Sequence, residues 1–136
     1  MSRRRPLREQ VQRATRGVTI DTGVLIALER RKGSALALLR ACKLSRARIT
    51  IPATVLAEWW RGAHGALLEV GTLEALSPHL ALQAGNLLAR TGKSNAVDAT
   101  VVASAAERGD LVVTSDPDDL RDLAEDLPGV DVEPIS

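Results

Sequence analysis

The chain contains no phenylalanine and no tyrosine, and its aromatic side chains are the adjacent Trp59 and Trp60. A core so poor in rings must be built from Leu, Val, Ile and Ala. The stacked aromatic platforms of many single-strand nucleic-acid binders are excluded as well. A single cysteine, Cys42, excludes a disulfide framework and a Cys-rich zinc site, and is expected to act as a small apolar residue in a helix. The two histidines, His64 and His79, have no partner at metal-ligand or triad spacing and are expected in loops or at the surface. The cleanest apolar run, Val24 to Leu28, is a fraction of the ~20 residues that a membrane span needs. Ser2-Arg3-Arg4-Arg5 leads into Leu7-Arg8-Glu9-Gln10-Val11-Gln12-Arg13, which is no apolar signal region. The expectation is a cytoplasmic protein with no membrane attachment.

What is present is ordinary in bulk and uneven in layout. With 136 residues, 45% hydrophobic and 26% charged, the chain is one domain able to bury a core. The net charge of +1 hides an asymmetry. Residues 1–94 carry sixteen Lys/Arg against six Asp/Glu, and residues 95–136 carry two against eleven. Such a split fits a basic approach surface for a polyanion beside an acidic site, and equally a solvated acidic helix surface. Residues 1–16 hold six Arg and one Glu with no apolar period. They read as a disordered basic arm, or as the product of a start codon placed too early, ahead of a folded domain at 17–136.

Along that domain, short β-branched runs alternate with helical stretches. Val18–Ile20 predicts a first strand, followed by a helix that Lys32-Gly33 stops. Ser34 is expected to cap a second helix. A second strand, 48–51, ends at Pro52, and Thr54 is expected to cap the helix carrying Val55, Leu56, Glu58, Trp59 and Trp60. A turn or helix at 66–70 and a short strand at 72–76 follow. Pro78 begins a helix closed by Gly92, and Asn95 or Ser94 caps another that Gly109 stops. Leu111–Thr114 is a central strand, Asp116-Pro117-Asp118-Asp119 opens a final helix, and 130–133 is a last strand. Strands alternating with helices predict an α/β fold around a parallel sheet.

Four acids stand where helices meet strand ends: Asp21, Glu58, Asp98 and Asp116. Each has a plain structural reading. Asp21 and Asp116 suit helix caps, Glu58 suits a solvated helix face, and Asp98, three residues after Asn95, suits a capping box. Four independent caps need not fall on successive strand–helix junctions of one sheet, whose carboxyl edge is where α/β folds bind ligands. Carboxylates gathered there repel one another without a cation between them. Oxygen ligands without His or Cys select Mg²⁺ or Mn²⁺ over zinc, and such an ion serves phosphoryl transfer or phosphodiester hydrolysis. A haloacid-dehalogenase-type phosphatase needs an Asp at position 23, which is Gly. A response-regulator receiver needs an acidic pair near the first strand and a later Lys, and neither is present.

Four segments together resemble the PIN-domain nucleases, in particular the small toxins of VapBC-type toxin–antitoxin pairs. They are Thr19-Ile20-Asp21-Thr22-Gly23-Val24-Leu25-Ile26-Ala27-Leu28, Ile51-Pro52-Ala53-Thr54-Val55-Leu56-Ala57-Glu58, Val97-Asp98-Ala99 and Leu111-Val112-Val113-Thr114-Ser115-Asp116-Pro117-Asp118-Asp119-Leu120. The resemblance implies a three-layer α/β/α sandwich with a parallel sheet of about five strands, and Mg²⁺- or Mn²⁺-dependent endonuclease action on RNA. It implies Asp21 and Asp98 as principal metal ligands, Asp116 completing the cluster, and Glu58 as the carboxylate that positions the attacking water. Thr22, Ser115 and Asp118 are implied auxiliaries, and Asp119 stays a helix-start residue. The implied partners are RNA, a cognate VapB-type antitoxin and a second copy in a homodimer. Trp59 and Trp60 are candidates for the antitoxin contact, with burial of at least one as the alternative. Arg61, Lys93 and the N-terminal arginines are candidates to hold flanking phosphates, their alternative being plain solubility. A housekeeping PIN nuclease of RNA maturation and a catalytically silent PIN binding module are the competing readings.

Overall fold

Val18-Thr19-Ile20 is β-branched throughout and buried throughout, as a strand covered on both faces requires. The structure, a computed structural model, describes Leu7 and residues 17–135. Leu7 is half-buried and packs against the core. The rest of the expected basic arm, residues 1–16, lies outside the described residues. The chain runs β1 (Val18–Ile20), α1 (Thr22–Glu29), α2 (Gly33–Ser45), β2 (Ile49–Pro52), α3 (Ala53–Trp59), a 3₁₀ helix (Gly65–Val70) and β3 (Thr72–Glu74). It continues through α4 (Pro78–Thr91), α5 (Ala96–Arg108), β4 (Leu111–Thr114), α6 (Pro117–Ala124) and β5 (Val132–Pro134).

The five strands form one all-parallel sheet in the order β3-β2-β1-β4-β5. Parallel neighbours need crossovers, and crossovers are right-handed. The chain therefore moves from β1 out to β3 over one face and returns to β4 and β5 over the other. Within each group the helices pack together, α1 against α2 and α3, and α4, α5 and α6 against one another, while α3 also meets α5. The result is the expected three-layer α/β/α sandwich.

The core is aliphatic, with Ile20, Leu25, Ile51, Leu111, Leu120 and Leu123 among its largest fully buried side chains. Cys42 is buried on α2, and burial pushes its thiol up to about 11. Trp59 is buried at 6% exposure, whereas Trp60 stands 43% exposed. Helix ends follow the punctuation. Ser77 caps α4 with Pro78 next to it, and Gly92 and Gly109 take left-handed C-terminal positions.

Several boundaries differ from expectation. The second helix starts at Gly33 with Lys32 as its N-cap, so Ser34 is inside it. α3 starts at Ala53 directly from Pro52, so Thr54 is a helical residue and not a cap. β3 stops at Glu74, and β5 begins at Val132, two residues later than its apolar run. Among the described residues, no helix is long and apolar enough to cross a membrane.

Candidate active site

Strand order reverses between β1 and β4, which opens a crevice outside their carboxyl ends. Asp21 leaves β1 at that point, and Ser115 and Asp116 leave β4. Asp21 is 8% exposed and caps α1, its Oδ1 accepting from the Val24 N–H at 3.1 Å. The Thr114 hydroxyl donates to Oδ2, and the Ser115 backbone N–H also donates to this carboxylate. Burial, the largest influence, raises the Asp21 carboxyl above its ordinary range. The three hydrogen bonds pull it back, and the nearby Glu58 adds to the rise.

Asp98 enters from α5. Asn95 caps that helix by accepting from the Asp98 backbone N–H at 3.0 Å, so the Asp98 backbone serves the cap and its half-buried carboxylate does not. Burial raises that carboxyl most, and the charges of Asp21, Asp119, Glu58 and Asp116 follow in that order, bringing it to about 6. Carboxylates from the β1 edge, α3, α5 and the β4 edge therefore act on one another.

Asp116 occupies the N-cap position of α6 without making the side-chain cap bond. Its N–H instead donates to Thr114 Oγ1 at 3.0 Å. Asp119, expected only to start the helix, acts on Asp98 more strongly than Glu58 or Asp116 does. Asp118 is exposed in the first turn of α6. Ser115 is exposed, and its Oγ lies 1.7 Å from where a Cβ on Gly23 would sit, so Gly23 permits the β4 turn to approach α1. The Thr22 hydroxyl is buried without a hydrogen-bond partner in the protein.

The family model of the PIN domain matches residues 18–126. The chain belongs to the PIN domain family. No curated protein matches it. In three dimensions this PIN domain is similar to a chain in the crystal structure of DNA-bound VapBC from Salmonella typhimurium. The TM-score is 0.63 at 20% identity, over 90% of this chain and 100% of that one. It is also similar to a chain of VapBC2 from Rickettsia felis, bound to a DNA fragment from their promoter. Here the TM-score is 0.66 at 17% identity, over 86% and 97% of the two chains. At these identities the likeness establishes the fold.

The donor chemistry of this PIN domain's acidic edge fits a hard divalent cation: all oxygen, partly buried, with neighbouring acids adding to the rise that burial imposes on Asp98. Among the described residues no group of three or more His, Cys, Asp or Glu is arranged to hold a metal ion. Lys93, a candidate phosphate holder, is instead paired through Nζ with Asp119 at 3.1 Å and Asp122 at 3.0 Å. Arg61 donates to the Trp60 carbonyl at 2.7 Å and remains exposed. Behind the edge, Arg108 of α5 donates to Glu74, to Thr19 at 2.9 Å, to Ser104 at 2.7 Å and to Asp110 at 3.0 Å. That network seats α5 on the sheet. Nothing in the local sequence around these five residues marks it.

Proposed function

We propose that this PIN domain is a Mg²⁺- or Mn²⁺-dependent endoribonuclease and the toxin of a type II toxin–antitoxin pair. The observation that carries the reading is the gathering of Asp21, Glu58, Asp98, Asp116 and Asp119 at the β1/β4 crevice, where burial first and the neighbouring acids second raise the Asp98 carboxyl to about 6. Asp21 and Asp98 would hold the ion, with Asp116 completing the set. When bound, the ion neutralises phosphate charge and makes water a better nucleophile near neutral pH.

The protein groups supply position. Asp21 is locked by its three donors, Asp98 is delivered by α5, and Glu58 accepts a hydrogen bond from the attacking water and orients it. The water oxygen bonds to phosphorus in line with the departing 3′ oxygen, and the P–O3′ bond breaks. The water's proton passes to a carboxylate of the edge, and the leaving oxygen takes a proton from solvent. The products are a 5′-phosphate and a 3′-hydroxyl.

A VapB-type antitoxin belongs to the same reading, supported by structural neighbours that were solved as VapBC complexes, and a homodimer is proposed with it. With Trp59 buried, Trp60 remains the aromatic contact candidate, beside Ala53, Leu56, Ala57 and Leu68 around an apolar hollow of about 330 Å³. Sequencing RNA 5′ ends after induced expression tests the reading. New 5′-phosphate ends at defined positions, missing with Asp98→Asn and suppressed by EDTA in vitro, are expected. Cleavage that ignores chelation would overturn it.

A further inference from the structure

Most of the buried threonine hydroxyls around the sheet have a protein partner. Thr19 donates to Asp110 at 2.8 Å, Thr100 to the Ala96 carbonyl at 2.8 Å, and Thr114 to Asp21. Thr54 differs: its hydroxyl is shielded from solvent and has no hydrogen-bond partner in the protein. An unpaired buried hydroxyl is unfavourable, and valine offers the same shape without it. Its position in the fold gives it a use. Thr54 and Glu58 are four residues apart on α3 and so share one side of that helix, next to the buried side formed by Val55 and Trp59. Glu58 is the acid on α3 whose charge reaches both Asp21 and Asp98. α3 packs against α1, whose first residue, Thr22, follows Asp21 and carries the second unpaired buried threonine hydroxyl.

We propose that Thr54 is a positioning residue of the acidic edge, its hydroxyl kept free of protein partners to hydrogen-bond a water seated between Glu58 and Asp21. This rests on the nuclease reading for its purpose, though the water seat itself is a property of the folded chain. Thr54 touches neither phosphate nor metal. It orients the water that Glu58 receives, and a valine at this site leaves the water with one anchor fewer.

The test compares the full-length parent, Thr54→Val and Thr54→Ser by crystallography, thermal melting, Mn²⁺ calorimetry and single-turnover cleavage of an RNA oligonucleotide. The parent and Thr54→Ser are expected to show an ordered water within hydrogen-bond distance of the residue-54 hydroxyl and Glu58. Thr54→Val should lack it, melt no lower than the parent, bind Mn²⁺ within twofold of the parent, and cleave at least tenfold more slowly at unchanged KM. A parent whose Thr54 hydroxyl holds no such water overturns the proposal, as does a Thr54→Val variant that cleaves at the parental rate. If the water behaves as expected but no variant, parent included, cleaves RNA, the nuclease reading fails and the water seat stands.

Discussion

Thr114 and Asp21, 93 positions apart in sequence, are joined across neighbouring strands by a hydrogen bond from the buried threonine hydroxyl to the carboxylate. The same hydroxyl accepts the Asp116 N–H at 3.0 Å. One side chain thus holds an acid of the β1 edge and the turn that carries an acid of the β4 edge. Thr114→Val keeps the strand's shape and removes both bonds. It is expected to destabilise the fold by about 1–3 kcal/mol, the scale of an unmade buried hydrogen bond. It should also lower kcat more than it changes KM. Chemical denaturation and single-turnover cleavage would measure the two effects, and a variant indistinguishable from the parent in both would remove Thr114 from the site's architecture.

Asp98→Asn separates the acidic edge's function from its stability. The carboxyl raised to about 6 is unfavourable to the fold while ionised, so the neutral isostere should melt higher than the parent at pH 7.5 without metal. RNA cleavage and growth arrest should both vanish in this variant and in Asp21→Asn. Retained toxicity in either, with circular dichroism showing a native fold, would contradict the roles assigned to these acids.

The pH dependence of stability has a definite sign. Asp98 keeps its proton in the folded chain up to about 6, whereas its ordinary value is 3.8, and Asp21 is shifted in the same direction. Between those values the folded state binds more protons than the unfolded state, so these groups weaken the fold as pH rises through the window. The Asp98 destabilisation is complete above about 6 and absent below the ordinary carboxylate range, and Asp21 acts with the same sign. In EDTA, Tm is expected to rise on acidification from pH 7.5 to pH 5, and less so in Asp98→Asn. Saturating Mn²⁺ should raise Tm more at pH 7.5 than at pH 5. A pH-independent difference between parent and Asp98→Asn would refute this assignment.

Arg108 is a structural counterpart to the acids. Its guanidinium satisfies Glu74, Thr19, Ser104 and the buried Asp110 together. Arg108→Met leaves Asp110 inside the protein without its cation, and is expected to destabilise by about 3–5 kcal/mol, the scale for breaking a buried ion pair. Urea unfolding would show it. A loss under about 1 kcal/mol would mean that water replaces the guanidinium readily.

The legible and illegible parts of this protein divide by range. β1 and β4 announce themselves as β-branched runs, and α4 and α5 are delimited by Pro78, Gly92, Asn95 and Gly109, because these signals act within a few residues. Asp21 and Asp116 were visible as candidates for the same reason: each abuts a strand end. Ser34 and Thr54 misled as caps because Lys32 and Pro52 already hold the extended backbone that a cap position needs. Thr114's grip on Asp21, Asp119's effect on Asp98 and the Arg108 network depend on which strands and helices become neighbours. No local pattern encodes those pairings.

The long reach from Asp21 to Thr114 also sets a schedule. At ribosomal rates of about 5–20 residues per second, on the order of 5–20 s separates the synthesis of the two residues. Until the later strand arrives to dock beside β1, the first carboxylate lacks its threonine donor and the β4 turn that completes the crevice. For most of its time on the ribosome the chain is therefore made with its acidic crevice incomplete.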